Sequence, residues 1–288
     1  MLLDGAMGTE LMAAGLKTRE EPAELWNRIR PGDVQRIYRG YFEAGADAVQ
    51  TNTFGCNRLR LATFERSMVS PSDVRALNVA AALLAREARP DGRFVIGSIG
   101  PTGSVPPPEG RADLSELEDA FAEQAMALAE GGVDLLHLET FYHPKEARAA
   151  LRGVREGAPG LKVVASMTCK VATGGYITPL GFTPEVMLQV FIEEDADGVG
   201  INCTLSPAHM IDLVRMVRAR IGPDIPLFAK PTSMPGPVEV VSSSRFAAGA
   251  LELFAAGATA VGGCCGTAPA DIAAVRRTLD AKPAVGLG

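Results

Sequence analysis

Three cysteines are the residues of this sequence that could do the most distinctive chemistry. Cys203 stands alone, whereas Cys264 and Cys265 are adjacent within the glycine-rich run 262–267. Cysteine thiolates bind zinc at about 2.3 Å, and a catalytic zinc keeps one coordination position open for water or substrate. Three sulfur ligands would leave such a position, which suits a substrate thiol. We therefore predict that Cys203, Cys264 and Cys265 hold one catalytic zinc ion per chain.

Other side chains with chemical potential have simpler expected roles. Cys56 and Cys169 are expected to be buried as small apolar residues, although Cys169 follows the predicted strand next to that of Cys203 and so is an alternative ligand. Lys230 could form a Schiff base, but we expect it to pair with a carboxylate instead. The histidines are not preferred as zinc ligands, and His137 is expected to lie inside the fold.

Bringing these side chains together requires strands whose ends meet. Eight short apolar runs, separated by helical patterns, end in polar or glycine-rich residues. Eight successive strand–helix units without a strong dinucleotide-binding fingerprint favour a closed (β/α)8 TIM barrel over the alternative, a doubly wound open sheet. We predict a single α/β domain over residues 1–288, with strands at 2–4, 48–53, 93–98, 135–139, 163–168, 198–203, 227–230 and 260–263.

The strand ends bring dispersed polar residues to one rim, because parallel barrel strands all finish on the same face. Five of the eight predicted strands end in residues that can bind a metal ion or a polar substrate. In chain order these residues are Asp4, Asn52 with Thr53, Glu139, Cys203, and Cys264 with Cys265. The predicted active site therefore lies at this rim.

Helix starts and loops can also be located in the sequence. Thr183-Pro184 and Ser206-Pro207 each place a hydroxyl before a proline at the first helical position, and Ser115 with Glu118 could form a capping box. Proline and glycine mark three predicted loops above the strand ends, at 101–110, 172–181 and 232–237.

Composition narrows the class of partner. The chain has 288 residues, 47% of them hydrophobic, so it can bury a large core. A formal net charge of −6 gives no basic surface for nucleic acid or an anionic membrane, and no signal peptide or membrane span is evident. Five cysteines, an odd number with one adjacent pair, do not suggest a secreted disulfide framework. We expect a cytoplasmic protein that acts on a small molecule, and the sequence predicts no oligomeric state.

Several segments resemble the homocysteine S-methyltransferase family, which includes the homocysteine-binding module of cobalamin-dependent methionine synthase and betaine-homocysteine methyltransferase. The resemblance runs from the first predicted strand to the last, and the two segments that contain cysteines are its most specific part. The segments are DGAMGT at 4–9, TNTF at 51–54, GSIGPT at 97–102, LET at 138–140, INC at 201–203 and GGCCGT at 262–267.

The resemblance implies an activity and roles for the site residues. In that family the three matching cysteines bind zinc, which activates the thiol of homocysteine for methyl transfer and so gives methionine. The resemblance also implies that Asp4 and Glu139 receive the substrate's amino group, as two carboxylates would attract an ammonium. The residues that it places around the substrate pocket are Gly5, Asn52, Thr53 and Ser98.

The methyl donor stays open. The candidates are a methylcorrinoid carried by a separate protein, S-methylmethionine and betaine. The run 51–55 is closer to the methionine synthase module, which favours a corrinoid or folate-linked route. We expect the chain to lack folate and cobalamin domains of its own, so a corrinoid would come from a partner. The run after Lys230 lacks the asparagine usual in methionine synthase relatives, so the donor-side contact is expected to differ.

Two other classes of function also stay open on the sequence. Glycine-rich loops after the seventh and eighth strands of a barrel often bind phosphate, which would suit a lyase or an isomerase. A noncatalytic thiol or zinc sensor that binds homocysteine without turnover is the other class. Zinc held by thiolates would count against the lyase, and methionine formation would exclude the sensor.

Overall fold

Strands and helices alternate along the chain in the computed structural model, which describes residues 1–64, 70, 73–234 and 240–281. The strands are β1 Ala48–Gln50, β2 Phe94–Ile99, β3 Leu135–Phe141, β4 Lys162–Met167, β5 Lys170–Ala172, β6 Gly175–Ile177, β7 Gly198–Asn202, β8 Leu227–Lys230 and β9 Ala260–Val261. Seven of them form one parallel sheet in the order β1-β2-β3-β4-β7-β8-β9, while β5 and β6 form a separate antiparallel hairpin. The main sheet therefore follows chain order, as successive strand–helix units require.

A short stretch near the N-terminus closes the sheet into a barrel. Leu2 pairs with Val261 of β9, and Leu3 pairs with Ala48 of β1, both in parallel. This closing stretch, Leu2 and Leu3, occupies the place of the predicted first strand. The predicted (β/α)8 barrel is confirmed, with seven regular strands and a pair of bridges in the described part of the chain.

Carboxylates replace the usual ladder partners on either side of the closing stretch. Asp47 accepts a hydrogen bond from the Leu2 amide at 2.7 Å, and Asp4 accepts one from the Gln50 amide at 2.6 Å. In a longer strand, these two amides would donate to backbone carbonyls instead. The first strand of the barrel is therefore reduced to the two bridges of Leu2 and Leu3.

Helices surround the barrel and connect its strands. The main core cluster joins strand residues such as Val49 and Val163 to helix residues such as Phe121 and Val217. The helices are α1 Met7–Ala13, α2 Trp26–Ile29, α3 Pro31–Glu43, α4 Arg58–Leu61, α5 Val74–Ala88, α6 Leu114–Gly131, α7 Pro144–Gly157, α8 Pro184–Glu193, α9 Pro207–Ile221, α10 Ser243–Ala255 and α11 Pro269–Asp280. Across the described ranges, none of them combines the length and apolarity needed to cross a membrane.

The other face of the strands points into the barrel. A separate apolar cluster contains Leu3, Ala48, Ile96, Leu135, Val164, Phe228 and Ala260. Side chains two residues apart lie on the same face of a strand. Five of the seven positions two residues further along are polar, namely Gln50, Ser98, His137, Ser166 and Lys230, and the other two are glycines. The barrel interior therefore changes from apolar to polar toward the C-terminal ends of the strands.

Two of the three predicted helix starts are confirmed. Helices α8 and α9 both begin with proline, after Thr183 and Ser206 respectively. The predicted capping box at Ser115 is wrong, because α6 is capped by Asp113, whose carboxylate accepts from the Ser115 and Glu116 amides at 2.8 and 3.3 Å. The aspartate also carries the negative charge that a helix N-terminus favours.

One predicted loop contains regular structure. Segment 172–181 begins inside the hairpin, where Ala172 of β5 pairs with Gly175 of β6. Gly174 has a φ of 86°, which allows the two-residue turn between these strands. Segment 101–110 is irregular, as predicted. Residues 235–237 of the third predicted loop and residues 282–288 of the predicted domain lie outside the described residues.

Candidate functional site

A cavity of about 310 Å³ lies at the C-terminal ends of the barrel strands. Its wall brings together all but one of the predicted site residues: Asp4, Gly5, Asn52, Ser98, Glu139, Cys203, Cys264 and Cys265. The exception is Thr53, which is fully buried behind the wall and donates its hydroxyl proton to the Ser98 carbonyl at 2.7 Å. Thr53 therefore supports the wall without lining the cavity.

The three cysteines form a cluster that fits a metal ion. Their Sγ atoms all lie within 4.8 Å of one another, and those of Cys203 and Cys265 are 3.8 Å apart. Two sulfurs bound tetrahedrally to one zinc at about 2.3 Å would be separated by about 3.8 Å. When histidine, cysteine and acidic side chains of the described residues are compared, these three cysteines are the group close enough to share an ion. Cys169 is not part of that group.

Glycines shape the backbone that carries Cys264 and Cys265. A Cβ atom at Gly262 would lie 2.6 Å from the Asp4 carbonyl oxygen, so only glycine fits where β9 ends against the start of the chain. Gly266 has a φ of 78°, in the left-handed region that favours glycine. The two cysteines thus lie in a tight segment that directs both sulfurs toward Cys203.

Strained backbone occurs at the ends of β3 and β7. Thr140 and Cys203 have φ angles of 67° and 65°, in a region that costs residues other than glycine about 1–3 kcal/mol. Asn202 supports Thr140, because its Oδ1 accepts from the Thr140 amide and its Nδ2 donates to the Thr140 hydroxyl, both at 2.7 Å. The same Nδ2 lies 3.9 Å from Cys264 Sγ. Asn202 therefore links the end of β3 to the cysteine cluster.

The three thiols differ in their ease of ionisation. Hydrogen bonds from Cys203 and Cys264 lower the pKa of Cys265 to about 3, against the effect of burial. The hydrogen bonds of Cys264 to Cys203 and Cys265, together with burial, raise its pKa. For Cys203, the hydrogen bond with Cys264 favours the thiolate, but the bond with Cys265 and burial raise its pKa to about 11. Cys265 is therefore the thiol of the cluster that ionises most readily.

A network of buried polar side chains lines the same cavity. Lys230 Nζ lies 2.9 Å from Asp4 Oδ1 and also donates to Gln50 Oε1. Gln50 Nε2 donates to Glu139 Oε1 at 2.8 Å, and the Ser98 hydroxyl donates to the same oxygen. The network thus joins the ends of β1, β2, β3 and β8 to the residue that follows the closing stretch.

Burial raises the pKa of both carboxyl groups in the network. For Asp4, which is 2% exposed, the loss of water outweighs the favourable charge of Lys230. The pKa of Glu139 is raised for the same reason, and Lys230 and the Ser98 hydrogen bond offset only part of the effect. Burial would lower the pKa of Lys230, but Asp4 and Glu139 raise it above its ordinary value. The predicted pairing of Lys230 with a carboxylate is confirmed.

Asn52 reaches the cavity wall but directs its amide nitrogen to another part of the chain. Its Nδ2 donates to the Ala23 carbonyl at 2.8 Å and to Asn27 Oδ1 at 3.0 Å. Asn52 therefore holds the segment before α3 against the barrel.

Sequence reasoning missed two residues of the site, Gln50 and Asn202. The period-two alternation from Ala48 would have placed Gln50 inside the barrel, so a signal was present. Asn202 belongs to the segment INC at 201–203, but that segment did not reveal its role, because its partner Thr140 is recognised only by the left-handed conformation of its backbone.

The remaining cysteines and His137 are buried, as predicted. His137 lies inside the barrel with its Nε2 at 2.6 Å from Ser166 Oγ. Burial raises the pKa of Cys169 to about 12 and that of Cys56 well above its ordinary value. These two thiols therefore stay protonated, which does not suit a thiolate ligand.

The sequence matches the model of a protein family described as homocysteine S-methyltransferase over residues 1–279. It is 34% identical over 289 residues to the methionine synthase of Mycobacterium tuberculosis (strain ATCC 25618 / H37Rv), a match that covers 94% of this chain and 24% of the relative. The methionine synthase of Mycobacterium leprae (strain TN) is 34% identical over 301 residues, covering 97% of this chain and 24% of the relative. The chain thus spans about a quarter of the length of these relatives.

Solved structures with a similar fold include the homocysteine methyltransferase MmuM from Escherichia coli. Its metallated form matches with a TM-score of 0.77 and 24% identity, over 96% of both chains. Its oxidised form matches with a TM-score of 0.77 and 23% identity, over 96% of this chain and 95% of that one. These similarities show a shared barrel fold.

Proposed function

Since the chain belongs to the homocysteine S-methyltransferase family, we propose that it transfers a methyl group to the sulfur of homocysteine and so forms methionine. The observation that carries this proposal is the presence of the cysteine cluster and the carboxylates of Asp4 and Glu139 on the wall of one cavity. Homocysteine bears a thiol and an ammonium on one short molecule. A site for it therefore needs one group that binds sulfur and another that is acidic.

Zinc is the metal that we propose for the cluster, with Cys203, Cys264 and Cys265 as its ligands. The spacing of the sulfurs and the metallated form of the related MmuM support this assignment. When bound there, zinc would favour the deprotonated form of a substrate thiol, whose ordinary pKa is about 8.5. Three protein sulfurs leave one position of a tetrahedral site for that thiol.

The polar network binds the other end of the substrate in this proposal. Asp4 and Glu139 make that part of the cavity acidic, so the ammonium of homocysteine is attracted to it. Thr53 acts from behind the wall through its hydrogen bond to the Ser98 carbonyl. Gly5, Asn52 and Ser98, which line the same cavity, are the other residues that we assign to the substrate wall.

The proposed reaction is a displacement at carbon. The homocysteine thiol loses its proton, and a sulfur lone pair forms a bond to the methyl carbon of the donor. The bond between that carbon and the donor atom breaks, and its electron pair leaves with the donor. The protein contributes orientation, because holding the ammonium and the sulfur at two fixed places aligns the nucleophile with the methyl group.

The donor that we favour is a methylcorrinoid carried outside this barrel. The relatives at 34% identity are methionine synthases, and this chain matches only about a quarter of each. A donor presented by another domain or protein is consistent with that relation. S-methylmethionine and betaine are the alternatives to compare.

Methionine formation tests the proposal. The full zinc-loaded chain is incubated with homocysteine and, separately, with methylcobalamin, a methylcorrinoid protein, S-methylmethionine or betaine, and methionine is measured. We expect methionine with at least one donor, and none when homoserine, which lacks the sulfur, replaces homocysteine. Cys264→Ala should abolish the product, whereas Cys56→Ala, which changes a buried thiol outside the cluster, should retain it. Failure of the zinc-loaded chain with every donor would reject the proposed activity.

A further inference from the structure

The two acidic residues of the cavity differ in their partners. Asp4 has a charged partner, since its Oδ1 lies 2.9 Å from Lys230 Nζ and both side chains are only 3% exposed. Its other oxygen accepts from the Gln50 amide at 2.6 Å. The negative charge of Asp4 is therefore compensated within the protein.

Glu139 receives hydrogen bonds from neutral groups. Gln50 Nε2 and the Ser98 hydroxyl both donate to Glu139 Oε1. The residues that the structure describes give no hydrogen bond to its second oxygen, Oε2, and Glu139 lines the cavity. Glu139 thus has an oxygen available to a ligand, and no cationic side chain of the described residues is in direct contact with it.

Charge balance distinguishes the two carboxylates further. With both carboxyl groups ionised, two carboxylates and one ammonium give this part of the cavity one excess negative charge, and a buried charge without a counter-ion is costly. A substrate ammonium on Glu139 would remove that excess. The same ammonium on Asp4 would lie close to the ammonium of Lys230, and like charges repel.

Gln50 couples Lys230 to Glu139. A lysine ammonium only donates hydrogen bonds, so the amide oxygen of Gln50 must face Lys230. The amide nitrogen then faces Glu139 at 2.8 Å. Lys230 therefore orients the Gln50 amide so that its nitrogen donates to Glu139 Oε1. Lys230 also compensates the negative charge of Asp4.

We propose that Lys230 is a positioning residue for homocysteine: as the counter-ion of Asp4 and the partner that orients Gln50, it leaves Glu139 as the single carboxylate that binds the substrate's ammonium. This inference rests on the proposed function. It narrows the expectation that Asp4 and Glu139 share the ammonium, because Asp4 now acts through Lys230.

A double-mutant cycle separates these two arrangements. Asp4→Asn, Lys230→Gln and the double variant are zinc-loaded and titrated by calorimetry with homocysteine and with 4-mercaptobutanoate, which lacks the amino group. Asp4→Asn removes the excess negative charge and leaves Lys230 without its ion-pair partner, so the Kd for homocysteine should rise about tenfold or more, while 4-mercaptobutanoate should bind no more weakly. Adding Lys230→Gln restores the excess negative charge and keeps a side-chain N–H that can donate to Gln50 Oε1. It should therefore return the homocysteine Kd to within about threefold of the unmodified chain.

Arg276→Gln is the matched control, because Arg276 pairs with Asp47 at 2.8 Å at the opposite end of the barrel. It should leave the Kd for homocysteine unchanged. A double variant that binds homocysteine as weakly as Asp4→Asn alone would overturn the inference, since Asp4 would then contact the ammonium itself.

Glu139→Gln provides a second measurement if Asp4→Asn does not fold. We expect it to remove the preference for homocysteine over 4-mercaptobutanoate, and a retained preference greater than about threefold would overturn the inference. Binding and turnover are measured separately. A chain that binds homocysteine with these properties but forms no methionine would contradict the proposed function and leave the role of Lys230 supported.

Discussion

Asn202→Ala removes the side chain that holds Thr140 in its left-handed conformation. Two hydrogen bonds of 2.7 Å are lost, and the Thr140 amide loses its acceptor. A hydrogen bond contributes about 1 kcal/mol, and a desolvated donor left unpaired costs about 1–3 kcal/mol. We therefore expect the free energy of unfolding to fall by about 2–3 kcal/mol, and the melting temperature by about 4–10 °C.

The same substitution should weaken substrate binding. Thr140 directly follows Glu139, so relaxation of the strained backbone moves the carboxylate that we assign to the substrate's ammonium. We expect the KM for homocysteine to rise about tenfold, equivalent to about 1.4 kcal/mol, with a smaller effect on kcat. Thermal denaturation and steady-state kinetics of the zinc-loaded protein measure the two effects, and metal analysis verifies that zinc content is unchanged.

Two further variants make this prediction refutable. Asn78→Ala also removes a buried amide, which donates to the Cys56 and Val74 carbonyls at 2.9 and 2.8 Å outside the cavity wall. It should lower stability and leave KM unchanged. Thr140→Gly, added to Asn202→Ala, should restore part of the stability because glycine adopts a φ of 67° freely. An unchanged KM in Asn202→Ala, or no recovery with Thr140→Gly, would refute the reasoning.

Three further predictions concern the metal, the backbone and pH. Cys264→Ala should lose zinc and methionine formation together, as measured by metal analysis and product assay; full zinc content in a chain lacking all three cluster cysteines would refute the ligand assignment. Gly262→Ala should lower the free energy of unfolding by about 1–3 kcal/mol or more, and so lower the melting temperature, because its Cβ would lie 2.6 Å from the Asp4 carbonyl oxygen. An unchanged melting curve would contradict this. Burial raises the pKa of Glu146 above its ordinary 4.5, so the folded state binds the proton more tightly and loses stability as pH rises through 4.5 toward the folded-state pKa. Glu146→Gln should therefore raise the melting temperature at pH 7, with the gain disappearing below pH 4.5, and an equal gain at both pH values would count against the explanation.

Much of the barrel could be predicted because its signals are periodic and local. The predicted strand at 198–203 contains β7, Gly198–Asn202, and the predicted strand at 227–230 coincides with β8, Leu227–Lys230. All parallel strands of a barrel end on one face. Residues that follow different apolar runs, such as Cys203 and Cys264, could therefore be expected to meet before any contact between them was known.

Individual side chains were harder to predict, because direction depends on where a strand ends. The predicted second strand extended to residue 53, whereas β1 ends at Gln50. Beyond that residue the alternation no longer applies, and the Thr53 hydroxyl turns to the Ser98 carbonyl behind the wall. A boundary difference of three residues thus separates a residue that lines the cavity from one that supports it.

The fold class and the three candidate metal ligands could be predicted from the amino-acid sequence by itself, because apolar period and cysteine placement are properties of the chain. The family followed from the resemblance of its segments. Only the tertiary structure decided how charge is shared in the cavity. Asp4 and Lys230 are 226 positions apart, and their contact depends on closure of the barrel and on the side-chain conformations inside it. The energy of a buried ion pair changes steeply with distance and loss of water, and neither quantity is encoded in a linear pattern of residues.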